Sequence, residues 1–195
     1  MNADDAPVRG PVLVVGGTGM LAGVVGGLVR EGLTAVVVSR KPPGPGAFGD
    51  LGTAGGRLLP VSADYTDPLG FAAALRRVAA RTGPFRQAVL WVHAHGRPHA
   101  YAAVAAALAD GASVLEVLGS AAAAPTAPAP RPPEALGRAR HRAVVLGFTG
   151  PGAHTRWLDH GEISGGVLAA LRTPQSDDGP YVVGRVRPWE DRPSA

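Results

Sequence analysis

Residues 12–25, VLVVGGTGMLAGVV, run from four consecutive apolar residues through a glycine turn into apolar residues at helical spacing. A short, wholly apolar run is the pattern of a strand buried on both faces, which belongs in a parallel sheet covered by helices. Leu21, Val24, Val25 and Leu28 then fall at i, i+3, i+4 and i+7, a helical stripe that Gly32 ends. A strand that feeds directly into a helix in this way commits the chain to an α/β architecture.

The rest of the sequence repeats the alternation. Strands are predicted over residues 34–39, 58–62, 87–93, 113–118, 142–148 and 181–186. A Pro/Gly-rich loop, 40–56, stands where the second helix would be. Asp67 as N-cap with Pro68 at the first helical position starts a helix with Phe71, Leu75 and Val78 inside and Gly83-Pro84 as its stop. Pro98 opens another, with Tyr101, Val104 and Leu108 on one face and Gly111 at its end. Asp159 and Glu162 have the spacing of a capping box ahead of Ile163, Val167, Leu168 and Leu171. The expectation is a single Rossmann-type domain over 11–188, a doubly wound parallel sheet in a three-layer α/β/α sandwich. Residues 1–10 read as a flexible tail, 120–137 as an Ala/Pro-rich mobile loop, and 189–195 as a C-terminal tail.

Composition narrows the function classes. At 195 residues the chain can bury one substantial core. It has no cysteine, which excludes disulfides, thiol nucleophiles and Cys-held metals or clusters. Nineteen basic residues against fifteen acidic ones give a net charge of +4, and Lys41 is the only lysine. The arginines are scattered, and no basic run is interleaved with aromatics, so a nucleic-acid partner is not expected. No apolar run reaches the roughly 18–20 residues that span a membrane, and MNADDAPVRG at the start is too acidic for a signal peptide. A cytoplasmic protein without a membrane partner is expected. The preference for Ala and Arg over Ile and Lys points to a GC-rich bacterial genome.

The glycine turn carries the first chemical signal. Gly17-x-Gly19-x-x-Ala22 fits the G-x-G-x-x-G/A fingerprint of dinucleotide sites. There the first glycine makes the turn, the second admits the pyrophosphate to the backbone, and the small third residue lets helix and strand pack closely. Among 28 glycines the pattern means little alone; its place between a strand and a helix gives it weight. Gly16, Gly17, Thr18, Gly19, Met20 and Leu21 are therefore expected to hold phosphate with backbone N–H groups. The second strand ends Ser39-Arg40-Lys41, without the acid that would accept from an NAD ribose. A hydroxyl and two cations suit a 2′-phosphate, so the expected cofactor is NADP(H). The plainer reading is that these cations are solvated loop charges.

At these residues the sequence resembles the short-chain dehydrogenase/reductase superfamily, in the Gly-x-Thr-Gly form of its atypical members. The resemblance runs from residue 11 to about 120. It implies that Asp64, followed by Tyr65, contacts the adenine, and that His93-Ala94-His95-Gly96 replaces the family's Asn-Asn-Ala-Gly beside the cofactor. It implies that Ser120, after SVLEVLG, stands where the family has its catalytic serine. HTRWLDHGEISGGVL and YVVGRVRPWEDRP are similar to segments of a small group of bacterial proteins of this kind. A small-molecule substrate and a homodimer are further implications.

The chain departs from the family where the Tyr-x-x-x-Lys pair should follow the serine: that region is Pro132-Pro133-Glu134-Ala135-Leu136-Gly137. Three readings stay open. One is a reductase of C=N, C=C or C=O bonds, in specialised metabolism, with an unusual or absent proton donor. His93, His95, Tyr101, Ser120 and His154 are the candidates, since histidine titrates near neutrality. The others are a nucleotide-binding regulator without turnover, and a non-redox isomerase or cyclase. His93-x-His95-x-x-x-His99 invites a metal, but no carboxylate adjoins it and it straddles a turn, so no metal is expected. His154, Arg156, Trp157 and His160 form a loop cluster suited to a substrate lid or to packing. Arg138, Arg140, His141 and Arg142 read as a solvated face near a strand edge.

Overall fold

The computed structural model describes residues 10–41, 43–44, 46–52, 55–174 and 179–194. The expected N-terminal tail therefore lies, but for Gly10, outside the described residues, as do Pro42, Pro45, Thr53 and Ala54 of the 40–56 loop.

Seven strands form one parallel sheet: β1 (Val12–Val15), β2 (Thr34–Ser39), β3 (Arg57–Ser62), β4 (Phe85–Leu90), β5 (Leu108–Leu118), β6 (Arg140–Leu146) and β9 (Tyr181–Val183). Their order is β3-β2-β1-β4-β5-β6-β9. The chain winds outward from β1 to β3, then crosses back to β4, so the strand order reverses between β1 and β4. In doubly wound sheets the crevice at the carboxyl ends of such strands is where ligands bind. The glycine turn emerges at that point. Two-residue strands β7 (Phe148–Thr149) and β8 (Arg156–Trp157) pair as a separate antiparallel ribbon.

Helices cover both faces. α1 (Ala22–Arg30) and α4 (His160–Arg172) pack together on one, over Val12, Val14, Val37, Leu115 and Val144. α2 (Pro68–Thr82) and α3 (Arg97–Ala105) pack together on the other, over Leu13, Val15, Val36, Leu90 and Val114. Alternate residues of β1 thus feed opposite layers, and all four are buried. The α1–α4 contact is close because α1 presents glycines: a Cβ on Gly27 would sit 2.5 Å from Leu168 Cδ1. Asp67 caps α2 by accepting from the Gly70 N–H, and the Asp159/Glu162 capping box forms as expected.

Several boundaries differ from the expectation. α3 ends at Ala105, and Leu108 to Gly111 open β5 instead of finishing the helix. Leu108 pairs with Phe85, which draws the chain into the sheet one turn early, and the ladder shifts register before Gln87. β4 and β6 lie about two residues nearer the N-terminus than expected, and β9 is three residues long. Among the described residues, the β5–β6 connection carries no α-helix. It has the 3-10 turns Ser120–Ala123 and Glu134–Leu136, with Leu136 buried against the α3 layer.

The basic stretch that leads into and opens β6, residues 138–142, corrects the sequence expectation most. Arg138 and Arg140 are exposed, but the His141 side chain is only 3% exposed and Arg142 is buried. β6 lies between β5 and β9, so its successive side chains enter two covered faces and not solvent. His141 enters the α3 layer. Arg142 enters the α4 layer, where its guanidinium donates to the carbonyls of Ala170, Thr173 and Pro174 at the end of α4.

Candidate functional site

The turn after β1 is built to leave donors free. Gly16 has φ +79, and its N–H donates to Val38 O at 3.2 Å, tying the turn to β2. Trp91 N–H donates to Val15 O at 3.0 Å, tying it to β4. Gly17 is wedged among side chains: a Cβ there would lie 2.9 Å from Val14 Cγ1 and 3.0 Å from Val37 Cγ1. Gly19 is the opposite case, for a Cβ there would meet no heavy atom within 4 Å. α1 begins without a side-chain cap and without an acid in its first turn. Among the described residues, the amides of Thr18, Gly19, Met20 and Leu21 donate to no protein group. Thr18 and Gly19 are exposed and Met20 is partly so, while Leu21 is fully buried; uncapped, exposed N–H groups at a helix start suit a phosphate.

At the end of β2, Ser39 Oγ donates to Lys41 O at 2.6 Å, and Ser62 Oγ donates to Arg40 O at 3.3 Å. These bonds set the backbone of the Ser39-Arg40-Lys41 corner. The Arg40 and Lys41 side chains are exposed and, among the described residues, form no ion pair. The corner is next to β1 in the sheet, so its cations and the free amides share one edge of the crevice. After β3, Asp64 accepts from the Thr66 N–H at 2.9 Å. That bond, joined by the Thr66 hydroxyl, holds its carboxyl below the ordinary value. Tyr65 packs edgewise over Gly96, where a Cβ would come within 2.4 Å of its ring, and lies 6.3 Å from the His95 ring.

The residues after β4 form an exposed aromatic row. The His93 and His95 rings are parallel, 4° apart, with centroids 6.2 Å apart, and the Trp91 ring meets His93 edge-on at 5.9 Å. Among the described residues, no group of three or more His, Asp or Glu side chains is placed to hold a metal. Ser120 starts a 3-10 turn just past β5. His154 is exposed in the turn between β7 and β8. There Arg156 pairs with Glu162 through two bonds of 2.8 and 2.9 Å. With the Asp159 N–H, that pair holds the Glu162 carboxyl down at about 2. Trp157 is 39% exposed and pairs with Phe148 in the β7–β8 ribbon.

Tyr101 belongs to another cluster, one that motif spacing does not reveal. It is 2% exposed and its hydroxyl donates to Glu116 Oε1 at 2.7 Å. His141 Nε2 lies 2.9 Å from Glu116 Oε2, and Arg97 Nε lies 3.8 Å from Oε1. Burial alone would raise the Glu116 carboxyl, but the bonds from His141 and Tyr101, with the Arg97 charge, outweigh it and hold it below the ordinary value. An ionised carboxylate only accepts, so Nε2 of His141 carries the proton. Burial, then the bond to Glu116, drives the Tyr101 hydroxyl far above the tyrosine range. The one signal in the sequence is a lone acid inside the apolar run 114–118, since a buried charge requires partners.

No protein-family model matches the chain, and no curated protein matches it in sequence. Solved structures do match in fold. An NADH-dependent reductase, A1-R′, complexed with NAD is 13% identical, with a TM-score of 0.68 over 90% of this chain and 95% of that one. A mutant short-chain dehydrogenase/reductase of Serratia marcescens is 16% identical, with a TM-score of 0.64 over 92% and 98%. A 3-oxoacyl-[acyl-carrier protein] reductase from Brucella melitensis in complex with NAD is 17% identical, with a TM-score of 0.51 over 62% of this chain; the match spans only 60% of the reductase's length. No helix among the described residues is long and apolar enough to cross a membrane. Its sheet order, its glycine turn at the switch point and these likenesses together give the chain the fold of the short-chain dehydrogenases/reductases.

Proposed function

We propose that the chain binds NADP(H) in the crevice at the carboxyl ends of β1 and β4 and serves as a reductase of a small molecule. The observation that carries this reading is the set of free amides at the exposed or part-exposed residues 18–20, with open space beside Gly19. These amides hold the pyrophosphate, Arg40 and Lys41 hold the 2′-phosphate with the Ser39 corner, and Asp64 and Tyr65 flank the adenine. The bound nicotinamide supplies a hydride to a C=N, C=C or C=O bond. His93 and His95 deliver the matching proton in this reading, which their exposure at the carboxyl end of β4, next to the turn, supports. Tyr101 is a poor donor, its hydroxyl being buried and tied to Glu116. Ser120 and His154 stay as secondary candidates, and specialised metabolism in a bacterium is the proposed setting.

Calorimetric titration tests the cofactor. NADPH should bind at least about tenfold more tightly than NADH, and equal or absent binding of the two overturns the assignment. Turnover is tested by NADPH oxidation with panels of imines, enones and ketones, with His93→Ala and His95→Ala slowing the reaction.

A second reading, a nucleotide-dependent regulator, is favoured by the 3-10 turns that occupy the β5–β6 connection in place of a helix carrying a tyrosine and a lysine. It prevails if NADPH binds without being oxidised by any panel member and binding alters the oligomeric state.

A further inference from the structure

On the α3 face of the sheet, beneath the β5–β6 connection, lies a cavity of about 1020 Å³. Residues of the 120–137 connection, which among the described residues forms 3-10 turns and no α-helix, supply much of its lining. The cavity is lined by Glu116 and Leu118 of β5, Arg97 and Tyr101 of α3, and residues 127–131 of the β5–β6 connection. Apart from Arg97, Tyr101, Glu116, Arg131 and Glu134, its lining is alanine, proline, leucine and glycine, and Arg131 and Glu134 are both exposed. A mostly apolar cavity with a few convergent polar groups is the usual form of a small-molecule site.

The polar groups differ in what they have left to offer. Both oxygens of Glu116 are engaged, by Tyr101 and by His141. Arg97 is held at its inner edge, where Nε donates to Val92 O at 3.0 Å and faces Glu116. Its two terminal nitrogens meet no acceptor among the described residues, and the side chain remains 35% exposed. The guanidinium fork is thus fixed at its stem and open at its tip. Arg97 is also the first residue of α3, whose first turn contains no acid. A cation at that end opposes the helix dipole, and an anion placed on the fork relieves the conflict.

We propose that this cavity binds a small amphipathic carboxylate, with its apolar body against the Ala/Pro/Leu lining and its carboxylate paired with the terminal nitrogens of Arg97. Glu116 is the positioning residue: it holds Arg97 in place and supplies the countercharge, while Tyr101 and His141 keep it from turning toward the ligand. None of the cradle residues lines this cavity, so the proposal stands apart from the NADP(H) reading.

The full chain is titrated calorimetrically with octanoate, 1-octanol and octylammonium. Octanoate should bind, 1-octanol at least about tenfold more weakly, and octylammonium more weakly still. Arg97→Gln should bring octanoate down to the 1-octanol level while leaving 1-octanol unchanged. Ala121→Trp, on an exposed lining residue, should weaken octanoate without perturbing the core. Equal binding of octanoate and 1-octanol, preference for octylammonium, absence of binding, or indifference to both substitutions overturns the proposal. NADPH titration of the same samples reports separately on the cofactor cradle.

Discussion

The hydroxyl of Ser164, on α4, donates to the carbonyl of Met20, in the glycine turn, at 2.8 Å across 144 residues of sequence. Ser164 is buried, and a Cβ on Gly23 would lie 2.7 Å from its own Cβ, so α4 rests directly on the start of α1. The bond fixes the carbonyl of the peptide next to the amides that face the crevice. Ser164→Ala should cost about 1 kcal/mol by chemical denaturation and weaken NADPH several-fold by calorimetry. Unchanged affinity would mean that the turn keeps its shape without the tether.

Gly17 and Gly19 should respond in opposite ways to the same substitution. Gly17→Ala places a methyl among Val14, Val25 and Val37, at 2.9–3.1 Å, and overpacking of this kind costs about 1–3 kcal/mol. Gly19→Ala meets nothing and should leave stability within about 0.5 kcal/mol of the parent. Its methyl enters the space proposed for the pyrophosphate, so NADPH binding should fall at least about tenfold. Thermal melts and titrations on the two variants decide the matter; a Gly19→Ala protein that binds normally would place the cofactor elsewhere.

The second half of the cradle is tested by charge. Arg40→Ala combined with Lys41→Ala should weaken NADPH at least about tenfold, since charge-assisted bonds to phosphate are lost. NADH, which has no 2′-phosphate, should change less than about twofold. Added salt should close the gap between the cofactors in the parent protein, because exposed cations are screened. If both cofactors weaken equally, the corner shapes the backbone and does not read the phosphate.

The fold was legible because its signals are local. Continuous apolar runs marked the inner strands, and Asp67-Pro68 and the Asp159/Glu162 box marked two helix starts without reference to anything distant. The end of α3 was not legible, since Leu108 suits a helical stripe and a strand equally and its pairing with Phe85 decides between them. The glycine turn could be found by spacing, because it sits in the short stretch that joins β1 to α1. Glu116, Arg97 and His141 could not. They meet only when β5, β6 and α3 are assembled, and no periodicity pairs residue 116 with residue 141. Arg142 misled for the same reason: its acceptors are carbonyls at the end of α4, at least 28 residues away in sequence.

Glu116 makes stability depend on pH in a direction that can be worked out. Its folded-state carboxyl sits below its ordinary value, because the bonds from His141 and Tyr101 outweigh burial. A depressed carboxyl contributes stability that is fully present above its unfolded value, about 4.3, and is lost as pH falls through the folded value. Glu116→Gln keeps the shape but turns an amide N–H toward Tyr101 or His141, leaving a buried donor unpaired at a cost of about 1–3 kcal/mol near neutral pH. Other carboxyls titrate in the same range, so the informative quantity is the difference between the two proteins. Denaturation free energies measured from about pH 8 to about pH 3 should give a constant gap down to about pH 5 and a shrinking one below it. Tyr101→Phe removes one donor from the carboxylate without removing the charge, so the Glu116 carboxyl should rise in that variant and its gap should shrink as pH falls through that raised value. A gap independent of pH would mean that folding leaves the Glu116 carboxyl unshifted, and a gap that moves in the wild type's favour as pH falls toward its unfolded value would mean that Glu116 is protonated in the folded protein, with the bond to His141 running from carboxyl to ring nitrogen.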